Sequence, residues 1–151
     1  MYYVRMTDFT IETAIQIACE FHGGQLDKAG FPYIFHPLRV MENVNGIQQK
    51  MAAVLHDTVE DTELTIDVLR ERGCPAPVVG AVEVLSKRKG EDHDRYLLRV
   101  IESGNTIAIP VKWADIMDNS DPRRLQYLPV EDQQRLSKKY AAAKQLLMRN
   151  M

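Results

Sequence analysis

Apolar residues recur along most of the chain at the three- and four-residue spacing of an amphipathic helix. The first such stripe runs from Ile11 to Phe21 and follows Thr10, a favourable N-cap residue. Further helices are predicted over residues 38–44, 47–61, 66–72, 78–87, 94–103, 109–119 and 130–150. The only β-branched run, "TIAIPV", continues directly into a helical pattern. The pattern therefore predicts an all-α fold.

Residues that begin or end helices support these boundaries. Thr65 is placed to cap the helix that Gly73 ends, and Pro129 to open the last helix. Pro110 is compatible with a helix only in its first turn. The last helix carries an apolar stripe of Tyr140, Ala143 and Leu147. We expect this stripe to pack on the protein's own core, with a homo-oligomer contact as the alternative.

Length and composition narrow the function classes. The 151 residues predict one domain over positions 1–151, with a hydrophobic fraction of 45%. Charged residues make up 26% with a net charge of −2 and form no basic block, which argues against a nucleic-acid-binding surface. No apolar run approaches the roughly 20 residues of a membrane span, so no membrane partner is expected. Two cysteines and no signal-peptide pattern at the start indicate a reducing cytoplasm.

The stretch "AAVLHDTVEDT" places His56 and Asp57 one helical turn before Glu60 and Asp61. On a helix, residues four apart return to nearly the same face, so these polar groups would share one edge. A His-Asp pair on a helix is usually a surface pair. Here the apolar "MAAVL" leads straight into it, so the pair lies where a buried stripe meets a polar patch. The face is therefore either solvated or part of a site.

Two further residues have the chemistry of metal ligands. His36 lies between prolines in "PYIFHP", and Asp115 follows the apolar "VKWA". A buried Asp115 needs a partner, for which Lys112 is the simple candidate and a metal ion the alternative. Together with His56 and Asp57 they offer two nitrogen and two oxygen ligands. This mixed set suits a catalytic divalent ion such as Mn²⁺ or Fe²⁺, with Zn²⁺ able to compete.

His36, the His56-Asp57 pair and the distant Asp115 resemble the ligand pattern of the HD phosphohydrolase superfamily. "HGGQLDKAGFPYIFHPL", "AAVLHDTVEDTELT", "LSK" and "VKWADIMDN" resemble, in order, segments of the hydrolase domain of RelA/SpoT-type alarmone enzymes. The resemblance covers roughly residues 10–125, and "HDTVEDT" is its most specific part. It implies an HD-domain helical bundle with a metal site between helices. We expect a stand-alone small alarmone hydrolase, because no residues remain for synthetase and regulatory domains.

The resemblance also implies an activity. Such hydrolases remove pyrophosphate from the 3′ position of guanosine tetra- or pentaphosphate, a small-molecule nucleotide substrate. They use one divalent ion, Mn²⁺ by similarity, with Fe²⁺, Mg²⁺ or Zn²⁺ as alternatives. By the same similarity, the metal ligands are His36, His56, Asp57 and Asp115. Glu60 and Asp61 match the family's acidic pair beside the attacking water, where a carboxylate can orient the water and accept its proton.

Four residues match or adjoin the family's substrate contacts. Lys28 matches a lysine near the phosphates, or else is a solvated loop residue. Asn119 matches an asparagine that contacts substrate, or else only caps its helix. Tyr33 shapes the pocket wall or simply packs, and Lys112 meets phosphate or supports Asp115.

The match is incomplete where the nucleotide is recognised. Asp27 replaces an arginine that lies against the guanine base in the family, and an aspartate cannot stack on a purine. Ile116, Asp118 and Pro122 also depart from the pattern. These departures leave two alternatives open: an HD hydrolase of another nucleotide or phosphorylated metabolite, and a non-catalytic nucleotide-binding module. Intact Glu60 and Asp61 argue against the second, because a mere binder gains nothing from extra acids near phosphate.

Overall fold

The structure, a computed structural model, describes residues 1–3, 5 and 8–151. Within these residues it contains the helices α1 (Ile11–His22), α2 (Phe35–Glu42), α3 (Ile47–Leu55), α4 (Thr58–Asp61), α5 (Ile66–Glu71), α6 (Ala76–Leu85), α7 (His93–Glu102), α8 (Ala108–Asn119), α9 (Pro122–Leu125) and α10 (Val130–Asn150). Pairing of β type among the described residues is limited to one isolated bridge, between Leu26 and Pro32. The predicted all-α fold is confirmed.

Helix α3 lies at the centre of the fold and packs against α1, α2, α6 and α8. Its residues from Met51 to Leu55 are all buried, because neighbouring helices cover it on every side. The main hydrophobic core surrounds this segment and includes Ile17 from α1, Leu69 from α5 and Val82 from α6. The polar residues that directly follow Leu55 are thereby held against the interior.

A second apolar cluster joins α10 to α7 and α8. Leu97, Ile116, Ala143 and Leu147 are buried in it, and Tyr140 packs against it. The stripe on the last helix thus packs on the protein's own core, as predicted. Ile116, a departure from the family pattern, belongs to this cluster and is fully buried.

The predicted helix ends agree with the structure at several positions. The Thr10 side chain accepts a hydrogen bond from the Thr13 amide, and that of Thr65 accepts one from the Val68 amide. Gly73 follows α5 with a φ of 88°, a left-handed conformation that favours glycine. Pro110 lies in the first turn of α8, where it disrupts no helical hydrogen bond.

The main differences from prediction lie at three places along the chain. Helix α2 begins at Phe35 rather than at 38, so His36 lies in its first turn and not in a loop. The predicted helix over 47–61 is broken after Leu55, and the short helix α9 was not predicted. The break has a local cause: the Thr58 hydroxyl donates to the Leu55 carbonyl, and His56 Nδ1 bonds the Ala53 carbonyl. Side-chain bonds of this kind compete with the helical ladder.

No helix in the part of the chain that the structure describes is both long and apolar enough to cross a membrane. Cys19 is exposed and Cys74 is buried, and neither forms a disulfide. The expected absence of a disulfide framework therefore agrees with the structure.

Candidate functional site

Four side chains from different parts of the chain converge at the break between α3 and α4. His56 and Asp57 occupy the break itself, His36 comes from the first turn of α2, and Asp115 comes from α8. His36, His56 and Asp115 are buried, and Asp57 is partly buried. Each residue offers one ligand atom, and the four atoms lie within 4.8 Å of one another. The structure therefore brings together all four residues predicted as metal ligands.

Each imidazole presents its Nε2 atom to carboxylate oxygens. Nε2 of His36 is 3.0 Å from Asp115 Oδ1 and 3.6 Å from Asp57 Oδ2. Nε2 of His56 is 3.0 Å from Asp57 Oδ2 and 3.3 Å from Asp115 Oδ1. Metal–ligand bonds of about 2.0–2.2 Å place the donors of one ion about 3–4.4 Å apart. The spacing of these atoms is close to that of a metal-binding set.

Both rings are oriented from behind through Nδ1. His36 Nδ1 lies 2.7 Å from Asp118 Oδ2, and His56 Nδ1 lies 2.5 Å from the Ala53 carbonyl oxygen. With Nδ1–H donating to an outside acceptor, Nε2 is the nitrogen left for a ligand. This arrangement is typical of metal-binding histidines, whose other ring nitrogen is held by a carboxylate or carbonyl. The donor set thus fits a divalent ion.

Besides orienting His36, Asp118 accepts hydrogen bonds from two arginines. Its Oδ1 accepts from Arg39 Nε at 2.7 Å, and its Oδ2 accepts from Arg124 Nη1 at 2.7 Å. Burial alone would raise the pKa of Asp118, but hydrogen bonds from His36 and Arg39 lower it to about 2. Asp118 therefore stays ionised at neutral pH and links the cluster to two arginines.

Asp115 is held by two neighbours on its own helix. Lys112 Nζ donates to Oδ2 at 2.8 Å, and Asn119 Nδ2 donates to Oδ1 at 3.0 Å. Lys112 is buried, with its Nζ 4.7 Å from the centroid of the Tyr96 ring. Lys112, predicted to contact substrate, thus lies behind Asp115 and is not among the residues that line the adjoining cavity. Its position matches the simpler alternative, in which it supports Asp115.

Hydrogen bonds and charges within the cluster raise the pKa of each histidine and lower that of Asp115. Burial opposes a charge on His36, yet hydrogen bonds to Asp115 and Asp118 raise its pKa to about 10. The same competition raises the pKa of His56, chiefly through Asp57. Burial would raise the pKa of Asp115, but Lys112 and the two histidines lower it. The Asp115 carboxylate is therefore anionic, as a metal ligand must be.

Glu60 and Asp61 on α4 form an acidic pair next to the cluster. One carboxylate oxygen of each lies within 4.8 Å of the other and of an Asp57 oxygen. Burial and the charge of Asp57 raise the pKa of Asp61 to about 6. Burial also raises the pKa of Glu60, against a hydrogen bond from the Lys87 amide. Asp61 can therefore accept a proton near neutral pH, and the pKa of Glu60 is shifted in the same direction.

The loop after α6 positions Glu60. The backbone N–H of Lys87 donates to Glu60 Oε1 at 2.6 Å. The loop itself is held by Arg99, whose guanidinium donates to the Val84 and Ser86 carbonyls and pairs with Glu91 at 2.8 Å. This contact explains how the "LSK" segment, remote in sequence, belongs to the site.

A cavity of about 400 Å³ adjoins the cluster. Tyr33 connects the two, because it lines the cavity and its hydroxyl donates to Asp57. Of the other residues predicted to contact substrate, Lys28 is exposed and Asn119 partly buried, and both line this cavity. The remaining lining includes three arginines and four aromatic residues, namely Arg39, Arg123, Arg124, Phe31, Phe35, Tyr127 and Tyr140. Pockets of this size accommodate small organic ligands.

Known proteins resemble this chain in sequence and in fold, although no family model matches it. A guanosine-3′,5′-bis(diphosphate) 3′-pyrophosphohydrolase of Aquifex aeolicus is 34% identical over 120 residues, which cover 72% of this chain and 17% of the relative. A GTP pyrophosphokinase of Streptomyces coelicolor is 36% identical over 135 residues, 83% of this chain and 16% of the relative. The chain thus spans about a sixth of the length of these relatives.

A solved structure extends the match to the fold. The structure of a metazoan ortholog of SpoT, described as hydrolysing ppGpp, superposes with a TM-score of 0.76 at 25% identity and covers 99% of this chain and 88% of that one. The chain belongs to the RelA/SpoT-like hydrolase domains of the HD type. The resemblance inferred from "HDTVEDT" and its companion segments is confirmed.

Within this RelA/SpoT-like domain, Asp27 has a role that its sequence position did not suggest. Its Oδ1 accepts from the amides of Ala29 and Phe31, which shapes the loop after α1. Its Oδ2 lies 3.6 Å from Arg124 Nη2. Asp27 therefore stabilises a turn and pairs with Arg124, whose positive charge offsets the negative charge of Asp27 at the cavity.

Sequence reasoning missed three contributors to the site. Asp118 was read only as a departure from the family pattern, although its spacing of three from Asp115 places it near the same helix face. Arg124 carried no signal, because the helix that positions it was not predicted. The Lys87 amide is a backbone group, for which side-chain patterns give no signal.

Proposed function

We propose that this domain is a metal-dependent phosphohydrolase that removes pyrophosphate from the 3′ position of guanosine 3′,5′-bis(diphosphate), leaving GDP. The observation that carries the proposal is the convergence of the four ligand atoms beside an acidic pair and a basic, aromatic cavity. The names of the relatives support the substrate. The pyrophosphokinase activity in other relatives' names concerns proteins of which this chain matches only a small part.

In this proposal His36, His56, Asp57 and Asp115 hold one divalent ion. When bound, the ion lowers the pKa of a water molecule and polarises a phosphoryl oxygen. Mn²⁺ is the expected ion, with Fe²⁺, Mg²⁺ and Zn²⁺ as alternatives. The anionic cluster needs such a cation for a second reason, since its carboxylates would otherwise repel a polyphosphate.

Glu60 and Asp61 are proposed to orient the attacking water and take up its proton. The pKa of Asp61, raised to about 6, suits proton transfer near neutral pH, and burial raises the pKa of Glu60 as well. The hydrogen bond from the Lys87 amide leaves the second oxygen of Glu60 available for water. Glu60 and Asp61 would therefore transfer the proton, while the four-residue cluster would hold the cation.

The remaining groups are proposed to bind the nucleotide. Lys28 meets a phosphate from the exposed side of the cavity. Tyr33 and Asn119 line the wall between the cavity and the cluster, where each also fixes an aspartate.

A single domain, a cytoplasmic location and a homo-oligomeric state as the alternative to a monomer remain predictions from the sequence.

A substrate panel tests the proposal. Purified protein, stripped of metal with a chelator and supplied with Mn²⁺, is expected to release GDP and pyrophosphate from ppGpp. Nucleotides without a 3′-diphosphate, such as GTP and ATP, should be left intact under the same conditions. Equal or faster turnover of a nucleotide lacking the 3′-diphosphate would refute the proposed substrate and favour an HD hydrolase of different specificity.

A further inference from the structure

The guanidinium of Arg124 lies at the cavity wall between two carboxylates. Its Nη1 donates to Asp118 Oδ2 at 2.7 Å and to Asn119 Oδ1 at 3.2 Å, and its Nη2 lies 3.6 Å from Asp27 Oδ2. The side chain is 24% exposed. Its edge is thus bound by the protein while part of its surface remains open to the cavity that it lines.

This environment selects the kind of group that Arg124 can bind. An anionic phosphate at this position would meet the negative charges of Asp27 and Asp118 as well as the positive charge of the arginine, so the net attraction would be small. A neutral planar ring meets no such repulsion. A guanidinium whose Nη1 is held by Asp118 and Asn119 can stack through its face on an aromatic system. The chemistry therefore favours an uncharged, planar partner.

Aromatic side chains line the same cavity as Arg124. Phe31 and Tyr127 line it with ring centroids 5.2 Å apart at an angle of 72°. These side chains are 44% and 61% exposed, a large aromatic surface left open to solvent. Aromatic rings of this kind gain free energy by covering a flat apolar ligand. Arg124 and the aromatic pair thus present stacking surfaces to the same space.

We propose that Arg124, held by Asp27 and Asp118, is the residue that recognises the purine base of the nucleotide. This inference rests on the proposed function and deepens it, because it assigns the base to the cavity and its recognition to α9. Asp27 positions Arg124 and does not itself touch the base. A guanidinium is therefore present beside position 27 even though position 27 carries a carboxylate.

Two ligands separate recognition of the base from recognition of phosphate. GDP and inorganic pyrophosphate are titrated by calorimetry into the Mn²⁺-loaded protein, the Arg124→Ala variant and the Arg124→Lys variant. Loss of one stacking contact is expected to weaken GDP binding about tenfold in both variants. The Kd of pyrophosphate, which has no base, should change less than twofold. Lysine keeps the charge without the planar face, so it should not restore GDP affinity.

Arg95→Ala is the matched control, because Arg95 is 83% exposed, pairs with Asp92 and does not line the cavity. It should leave the GDP affinity within twofold of the starting protein. Equal weakening of GDP and pyrophosphate by Arg124→Ala, or full GDP affinity in Arg124→Lys, would overturn the proposal. If Arg124→Ala does not fold, the lysine variant decides alone.

Failure of this proposal is distinguishable from failure of the proposed function, because neither titration requires turnover. GDP binding that depends on Arg124, together with no hydrolysis of ppGpp, would retain the base site and refute the activity. Hydrolysis of ppGpp with GDP affinity unaffected by Arg124 would retain the activity and refute the base site.

Discussion

Replacement of Asp118 by asparagine is expected to weaken metal binding although Asp118 is not a proposed ligand. The carboxylate accepts from His36 Nδ1, from Arg39 Nε and from Arg124 Nη1, each at 2.7 Å. Asparagine has the same shape but only one acceptor oxygen, and its amide nitrogen would face one of these donors. The substitution therefore removes the negative charge behind His36 and leaves at least one donor unpaired.

The magnitude follows from the contacts that are lost. Removing the group that orients a metal-binding histidine typically lowers metal affinity by about 10–100-fold, or roughly 1.4–2.8 kcal/mol. We expect the upper half of that range, because the imidazole loses its partner's charge and the neighbouring arginine loses its anchor together. The fold should persist, since the Asp118 side chain contributes to the polar site and not to either apolar cluster.

The assay is a Mn²⁺ titration of chelator-stripped protein, with free Mn²⁺ followed by electron paramagnetic resonance. Asp121→Asn is the control, because it removes one negative charge three residues away, where the carboxylate contacts Arg123 and not His36. A Mn²⁺ affinity of Asp118→Asn within twofold of the control would refute the role assigned to Asp118.

Three further outcomes are expected. Glu60→Gln should lower kcat by about 10²-fold or more, the usual loss for a general base, with Mn²⁺ affinity in direct titration unchanged. Because the pKa of Asp61 is raised to about 6, the group is protonated below that pH; kcat should fall as pH drops through 6, and Asp61→Asn should remove this limb of the pH profile. Leu147→Ala should cost about 2–5 kcal/mol in urea unfolding, since Leu147 is fully buried, whereas Met148→Ala, 67% exposed, should cost little.

Much of the fold follows from local patterns. Helical periodicity predicts the long helices, and Thr10, Thr65 and Pro110 set ends that the structure reproduces. The break at His56 and Asp57 could not be predicted in this way, because apolar spacing continues through it. It depends on side-chain bonds to backbone carbonyls, whose geometry exists only after α3 has packed.

The candidate site likewise combines residues that the sequence reveals with residues whose role depends on the folded structure. Its four convergent ligand atoms belong to residue types whose chemistry is visible in the sequence, so His36 and Asp115 were found although 79 residues separate them. The groups that orient them were harder to find. Only Lys112, one turn from Asp115 on the same helix, could be named in advance. Asp118 acts through His36 of another helix, and Arg124 reaches the site only because the unpredicted α9 turns the chain back toward Asp27.

The most direct test of the account follows bound metal and turnover in one titration. Chelator-stripped protein receives Mn²⁺ in steps, and protein-bound Mn²⁺ and pyrophosphate release from ppGpp are measured in the same samples. Both are expected to rise together and level off at one ion per chain, and Asp57→Ala is expected to abolish both. Pyrophosphate release at full rate before metal binds, or from Asp57→Ala without bound metal, would contradict it.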